Sequence, residues 1–127
     1  MDGQEQLSRR EREIMDAVFA RGEASANHVL DSMASPPTRT AVRTMLRNLV
    51  EKGQLTQRKV GRELFYKPTR PREKAGQSAI RRVLSTFFDG SLEQAISAHL
   101  ADENSDLDDD ELKRLASLIR KTRQKGN

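Results

Sequence analysis

A chain of 127 residues suffices for one ordinary domain, or for a small domain with an arm that completes its core by dimerising, and 35% hydrophobic with 4% aromatic content favours the second. The lack of cysteine excludes disulfides, thiolate metal sites and cysteine nucleophiles, and no apolar run approaches the roughly 20 residues that cross a bilayer. The net charge of +4 is segregated: residues 35–74 hold eleven Lys/Arg against three acids, a balance of +8, whereas residues 85–111 hold nine acids and no Lys or Arg.

Ser8 followed by Glu11 is a capping box, and Ile14, Met15, Val18 and Phe19 recur at helical spacing up to Gly22, so a first helix is expected over about 9–21. Glu23 and Ala24 read as a short extended link. Ser25 can cap a second helix with apolar Ala26, Val29, Leu30 and Met33, ended by Ser35-Pro36-Pro37 because proline disfavours helical geometry in the residue before it. A third helix starts near Pro37 or Thr38, buries Val42, Met45 or Leu46, Leu49 and Val50, and stops at Gly53. Leu55–Val60 and Glu63–Lys67 read as strands joined at Val60-Gly61-Arg62, and Pro68 and Pro71 bracket a charged linker. Three further helices carry apolar stripes: Ile80, Val83, Leu84, Phe87 and Phe88; then Leu92, Ala95, Ile96, His99 and Leu100 after Ser91; then Leu112, Leu115, Leu118 and Ile119. The last is opened by Asp108 to Glu111 and closed by Arg120, Lys121, Arg123 and Lys125, charges that complement a helix dipole.

The expected fold is mainly α with a small β-wing. It consists of an N-terminal winged helix-turn-helix over 1–70, which binds DNA, and a C-terminal helical dimerisation arm over 71–127. Thr40, Arg43, Thr44 and Arg47 lie at i, i+3, i+4 and i+7 and share one acid-free face, which makes them the base-reading candidates. Arg39, Arg58, Lys59 and Arg62 are the expected DNA-backbone contacts, which position without specifying. Tyr66, in the second strand, is expected to pack the ribbon on the third helix. Ile80, Leu84, Phe87, Phe88, Leu112, Leu115, Leu118 and Ile119 form the expected dimer surface, because three short helices enclose little by themselves. The acidic run lacks the spacing of a calcium loop and reads as a solvated helix start, and His28 and His99 stand apart on different elements. No metal, cofactor or catalytic residue is therefore assigned; no phosphate-binding glycine loop, HExxH or nucleophile with a matched base occurs. MDGQEQLSRR has no apolar signal-peptide core, so a cytoplasmic protein without membrane insertion is expected. The alternative from a different class is a protein-interaction module whose basic face docks an acidic partner surface.

Three ordered blocks, Leu7-Ser8-xx-Glu11-xx-Ile14-Met15, Thr40-xx-Arg43-Thr44-x-Leu46-xx-Leu49-xx-Lys52-Gly53-x-Leu55 and Gly61-Arg62-xxx-Tyr66-x-Pro68, resemble the penicillinase-repressor family (BlaI/MecI/CopY). The resemblance extends through Gly90-Ser91-Leu92 to the acidic segment before Leu112. It implies a homodimeric repressor of dyad operators with TACA/TGTA half-sites, and a membrane sensor protease as partner that triggers cleavage in the dimerisation region. The family's cleaved Asn-Phe bond falls on the helix that here carries His99 and Leu100, so that bond is absent. The cysteines of the copper-responsive branch are absent too, and Phe19 stands where the family often has tryptophan.

Overall fold

The computed structural model describes residues 7–125; the residues before Leu7, on which the signal-peptide expectation partly rests, lie outside them, as does the side chain of Lys125. Along the chain run α1 (Arg9–Arg21), β1 (Ala24–Ser25), α2 (Ala26–Ser32), α3 (Arg39–Glu51), β2 (Leu55–Val60), β3 (Glu63–Pro68), α4 (Arg72–Phe87), α5 (Leu92–Ala101) and α6 (Asp109–Lys125). Two compact units result, Met1–Ser78 and Ala79–Asn127, with the boundary inside α4.

Local chemistry sets the ends of the first helices. The Glu11 N–H donates to Ser8 Oγ (3.1 Å) while the Ser8 N–H donates to Glu11 Oε1 (2.9 Å), so the capping box is reciprocal. Gly22, at φ 90°, ends α1 by donating its N–H to the Val18 carbonyl (2.8 Å). Ser25 caps α2 through the His28 N–H (3.2 Å), and His28 Nδ1 accepts the Ser25 N–H (3.1 Å), so an imidazole fills the role usually held by Glu. Thr38 Oγ1 accepts the Ala41 N–H (3.1 Å) and starts α3.

The link expected at Glu23 and Ala24 lies one residue further on and is a strand, Ala24–Ser25, whose Ser25 also caps α2 as expected. Ala24 pairs with Tyr66 and Ser25 with Phe65, which gives an antiparallel sheet of order β1-β3-β2. The pairing gives the second edge of β3 a backbone partner, a tertiary requirement that a two-residue segment cannot announce through alternation. β2 pairs with β3 from Leu55–Pro68 to Val60–Glu63, leaving Gly61-Arg62 as a two-residue turn. Gly61 takes φ 64°, as the first central position of such a hairpin requires.

The core of the first unit gathers Ile14, Met15 and Val18 of α1, Val29 of α2, Val42, Leu46 and Leu49 of α3, Leu55 of β2 and Tyr66 of β3. Leu46 is fully buried and Met45 half-buried, which settles the alternative between them. A polar link ties α3 to α1 in this unit: Lys52 Nζ, at the end of α3, donates to Glu11 Oε1 (2.9 Å) and Oε2 (3.0 Å), at the start of α1. Burial pushes the Glu11 carboxyl up, but the Ser8 N–H and the Lys52 ammonium more than offset this and hold it below its ordinary 4.5. The link fixes the end of α3 on the scaffold that carries it.

Candidate nucleic-acid interface

With Val42, Leu46 and Leu49 turned into the core, the other side of α3 is left to solvent. Thr40, Arg43, Thr44 and Arg47 are all exposed there, and Arg39 is exposed in the first turn. The four residues chosen by spacing therefore do share one surface, close to a helix start whose unpaired N–H groups favour anions.

Beside this surface a cleft of about 650 Å³ opens toward the hairpin. Arg43 and Arg47 of α3, Arg62 of the turn, Asn27 of α2, Gln57 of β2 and Tyr66 of β3 line it, together with one acid, Glu63 of β3. Tyr66 is 4% exposed; burial raises its phenol above the ordinary 10, while the charges of Arg43 and Arg47 pull the other way. Those two charges act on the phenol because Tyr66 lines the cleft together with Arg43 and Arg47. Asn27 and Gln57 escaped the sequence reading: each is a lone neutral amide, distant along the chain from α3.

Side chains alternate across the ribbon, so the adjacent Arg58 and Lys59 point to opposite faces. Lys59 and Gln57 share the face of Leu55 and Tyr66, whose side chains enter the core. Arg58 stands on the other face, over the ring of Phe65 with its guanidinium 6.0 Å from the ring centroid. Its Nε donates to Glu23 Oε2 (2.7 Å) and its Nη2 to Glu23 Oε1 (2.8 Å). The hydrogen bonds from Arg58 hold the Glu23 carboxyl below its ordinary value, and Glu23 raises the arginine in return. Lys59 and Arg62 are exposed, whereas Arg58 already holds an anion.

The eight residues assigned to dimerisation fall in the second unit. Ile80, Leu84, Phe87 and Phe88 lie on α4 or directly after it, and Leu112, Leu115, Leu118 and Ile119 on α6. Phe87 is 73% exposed and Leu118 60%; Ile80 and Ile119 are exposed as well, and the other four are half-buried. Ile80, Leu84 and Phe87 follow i, i+4, i+7 and form one face of α4. The acidic segment acts locally, since Asp108 Oδ1 accepts the Glu111 N–H (2.8 Å) and so caps α6. Among the described residues no three His, Asp or Glu side chains are grouped to hold a metal ion, and no helix is long and apolar enough to cross a membrane.

Comparison with known proteins agrees with this architecture. Residues 7–121 match the family model described as penicillinase repressor. The chain is 26% identical over 116 residues to the penicillinase repressor of Bacillus licheniformis, covering 90% of this chain and 89% of that one. Its fold is similar to that of MepR, a transcription regulator of the Staphylococcus aureus multidrug efflux pump MepA, at TM-score 0.53 and 16% identity over 98% of this chain and 83% of that chain. It also matches the monomeric form of Bacillus licheniformis BlaI in complex with the blaP half-operator, at TM-score 0.45 and 31% identity over 52% of this chain and 83% of that chain. The family pattern runs through both units, and the chain belongs to the penicillinase repressor family of DNA-binding winged-helix regulators.

Proposed function

We propose that this protein is a cytoplasmic homodimeric repressor that occupies a dyad operator with TACA/TGTA-like half-sites and blocks transcription by occlusion. The observation that carries the reading is the exposed face of α3 that presents Thr40, Arg43, Thr44 and Arg47, set beside a cleft in which Arg43, Arg47 and the wing's Arg62 outnumber the one acid, Glu63. Thr40, Arg43, Thr44 and Arg47 read base edges: arginine pairs bidentately with guanine, and threonine offers a hydroxyl and a methyl. Arg39, Lys59 and Arg62 contact phosphates and set the register; Arg58 belongs to the same ribbon but is held by Glu23.

The DNA-binding part spans 1–70 and the dimerisation part 71–127, with the first turns of α4 still packed in the first compact unit through buried Ala75. The exposed stripes of α4 and α6 pair across a two-fold axis, which sets two recognition helices on two half-sites. Relief of repression follows from breaking that pairing. If a membrane sensor protease does so, it cuts a bond other than the family's Asn-Phe, since His99 and Leu100 stand on α5 here.

Fluorescence anisotropy of the full chain on a TACA/TGTA dyad duplex and on a scrambled duplex, at two salt concentrations, tests the reading. A preference of about a thousandfold or more is expected. Equal, weak, salt-sensitive binding to both would overturn the operator assignment and leave the docking of an acidic protein as the better account. Arg43→Ala should relax the preference between the duplexes. Lys59→Ala should weaken both alike and lower the salt slope by about 0.9 per subunit.

A further inference from the structure

We infer that Glu23 is an internal stand-in for a DNA phosphate that withholds Arg58 from the duplex and so sets how strongly this protein binds DNA irrespective of sequence. The inference rests on the DNA-binding reading above and assigns a role to a residue outside the recognition surface.

The geometry is that of an occupied anion site. Two donors of one guanidinium meet two oxygens of one carboxylate at 2.7 and 2.8 Å, the fork arrangement that arginine also offers to phosphate. The pair bridges the sheet: Glu23 immediately precedes edge strand β1, Arg58 belongs to the opposite edge strand β2, and between them lies Phe65 of β3, with the guanidinium over its ring. Lys67, two residues beyond Phe65 on β3, adds a second positive charge that acts on Glu23. Arg58 stands on the face of the ribbon opposite Lys59, the face it shares with the Thr56–Lys67 pair, so the phosphates it would meet are those along that outer side of the wing.

The pair faces solvent, with the arginine side chain 63% exposed and the glutamate 28%. Exposed pairs are weak in absolute terms, so Glu23 does not seal the arginine. It makes a phosphate compete for donors already in use. A repressor gains from this restraint, since every phosphate contact strengthens binding to bulk DNA as well as to the operator.

Salt titrations of the full chain on a scrambled duplex test the inference without knowledge of the operator. Arg58→Ala alone should leave the slope of log K against log salt nearly unchanged, because in the wild-type protein this arginine neutralises Glu23 and not a phosphate. Glu23→Ala should tighten binding about three- to tenfold at moderate salt and steepen the slope by about 0.9 per subunit. In the Glu23→Ala, Arg58→Ala double variant the gain should vanish. Three results would each overturn the inference: an unchanged slope in Glu23→Ala, a gain that persists without Arg58 and therefore reflects simple loss of a repelling acid, or an Arg58→Ala variant that loses a full phosphate contact. Circular dichroism melts confirm that each variant folds. Wild-type protein that binds no duplex in a salt-dependent way would instead remove the DNA-binding reading itself, and this inference with it.

Discussion

The two compact units use similar apolar stripes to opposite ends. In the first, α1, α2, α3 and the small sheet surround a common centre, and Ile14, Val18, Val29, Val42, Leu46 and Leu49 are fully buried. In the second, none of the described residues is buried, and Phe87 presents nearly three quarters of its surface to solvent. An amphipathic helix is stabilised by covering its apolar face, and a sheet meeting three helices covers more than successive short helices can. The first unit covers its apolar stripes; the second leaves them exposed or half-buried, as the proposed dimer surface requires. Substitutions should accordingly act on folding in one unit and on assembly in the other.

The largest expected effect tests the second half of that contrast. Phe88→Asp places a charge at a half-buried position directly after α4, within the proposed dimer surface, and should yield monomers by sedimentation velocity. Operator affinity should fall by about two to four orders of magnitude, the factor by which linkage of two sites multiplies affinity. The melting temperature of the winged-helix unit should stay unchanged. A variant that still sediments as a dimer would remove Phe88 from the interface.

The first half is tested by Leu46→Ala, at a site with no exposure on α3. It should cost about 2–5 kcal/mol by urea denaturation, the range for emptying a packed site. The matched truncation Leu118→Ala, at a position 60% exposed, should leave chemical stability of the first unit within about 0.5 kcal/mol. Similar losses from both would mean that the two units share one folding transition.

How far the sequence disclosed these arrangements depended on how far apart the partners lie in the chain. Caps were legible because Ser8 and Glu11, or Ser25 and His28, sit three residues apart. The α3 face was legible because helical spacing alone puts Thr40, Arg43, Thr44 and Arg47 together. β1 was not, since two residues show no alternation and Ala24 finds its partner at Tyr66. The Glu23–Arg58 pair joins residues 35 positions apart, and only the folded sheet reveals it. Alternation along β2 did hold a usable signal, for it separates Arg58 from Lys59, which composition alone had grouped as equivalent cations.

A smaller effect is expected where the first unit is tied across its core. Lys52→Met leaves Glu11, only 6% exposed, without its ammonium partner and should cost about 1–3 kcal/mol at neutral pH. The sign with pH follows from the direction of the Glu11 shift. Its folded carboxyl titrates below the ordinary 4.5, so its stabilising share is full above that value and fades as pH falls through the lower folded value. In Lys52→Met the carboxyl loses the ammonium that lowers it, and the folded value rises. The stability gap between the two proteins should therefore be widest at neutral pH and narrow below about 4.5. A gap independent of pH would show that Lys52 contributes by packing its methylenes.

The smallest effect joins folding to recognition within the first unit. Thr38 Oγ1 satisfies one of the unpaired N–H groups at the start of α3, the same turn that presents Arg39 and Thr40. Thr38→Ala should cost about 1 kcal/mol of stability, and Thr38→Ser should recover most of it because the hydroxyl alone makes the bond. Fraying of that turn loosens Thr40 more than Arg47, which lies two helical turns further on. Operator preference should therefore weaken chiefly at the base pairs read from the start of α3, as measured by anisotropy on a panel of single-base operator variants. A uniform loss across all positions would instead place the cap's contribution in the seating of the whole helix, and so in the scaffold.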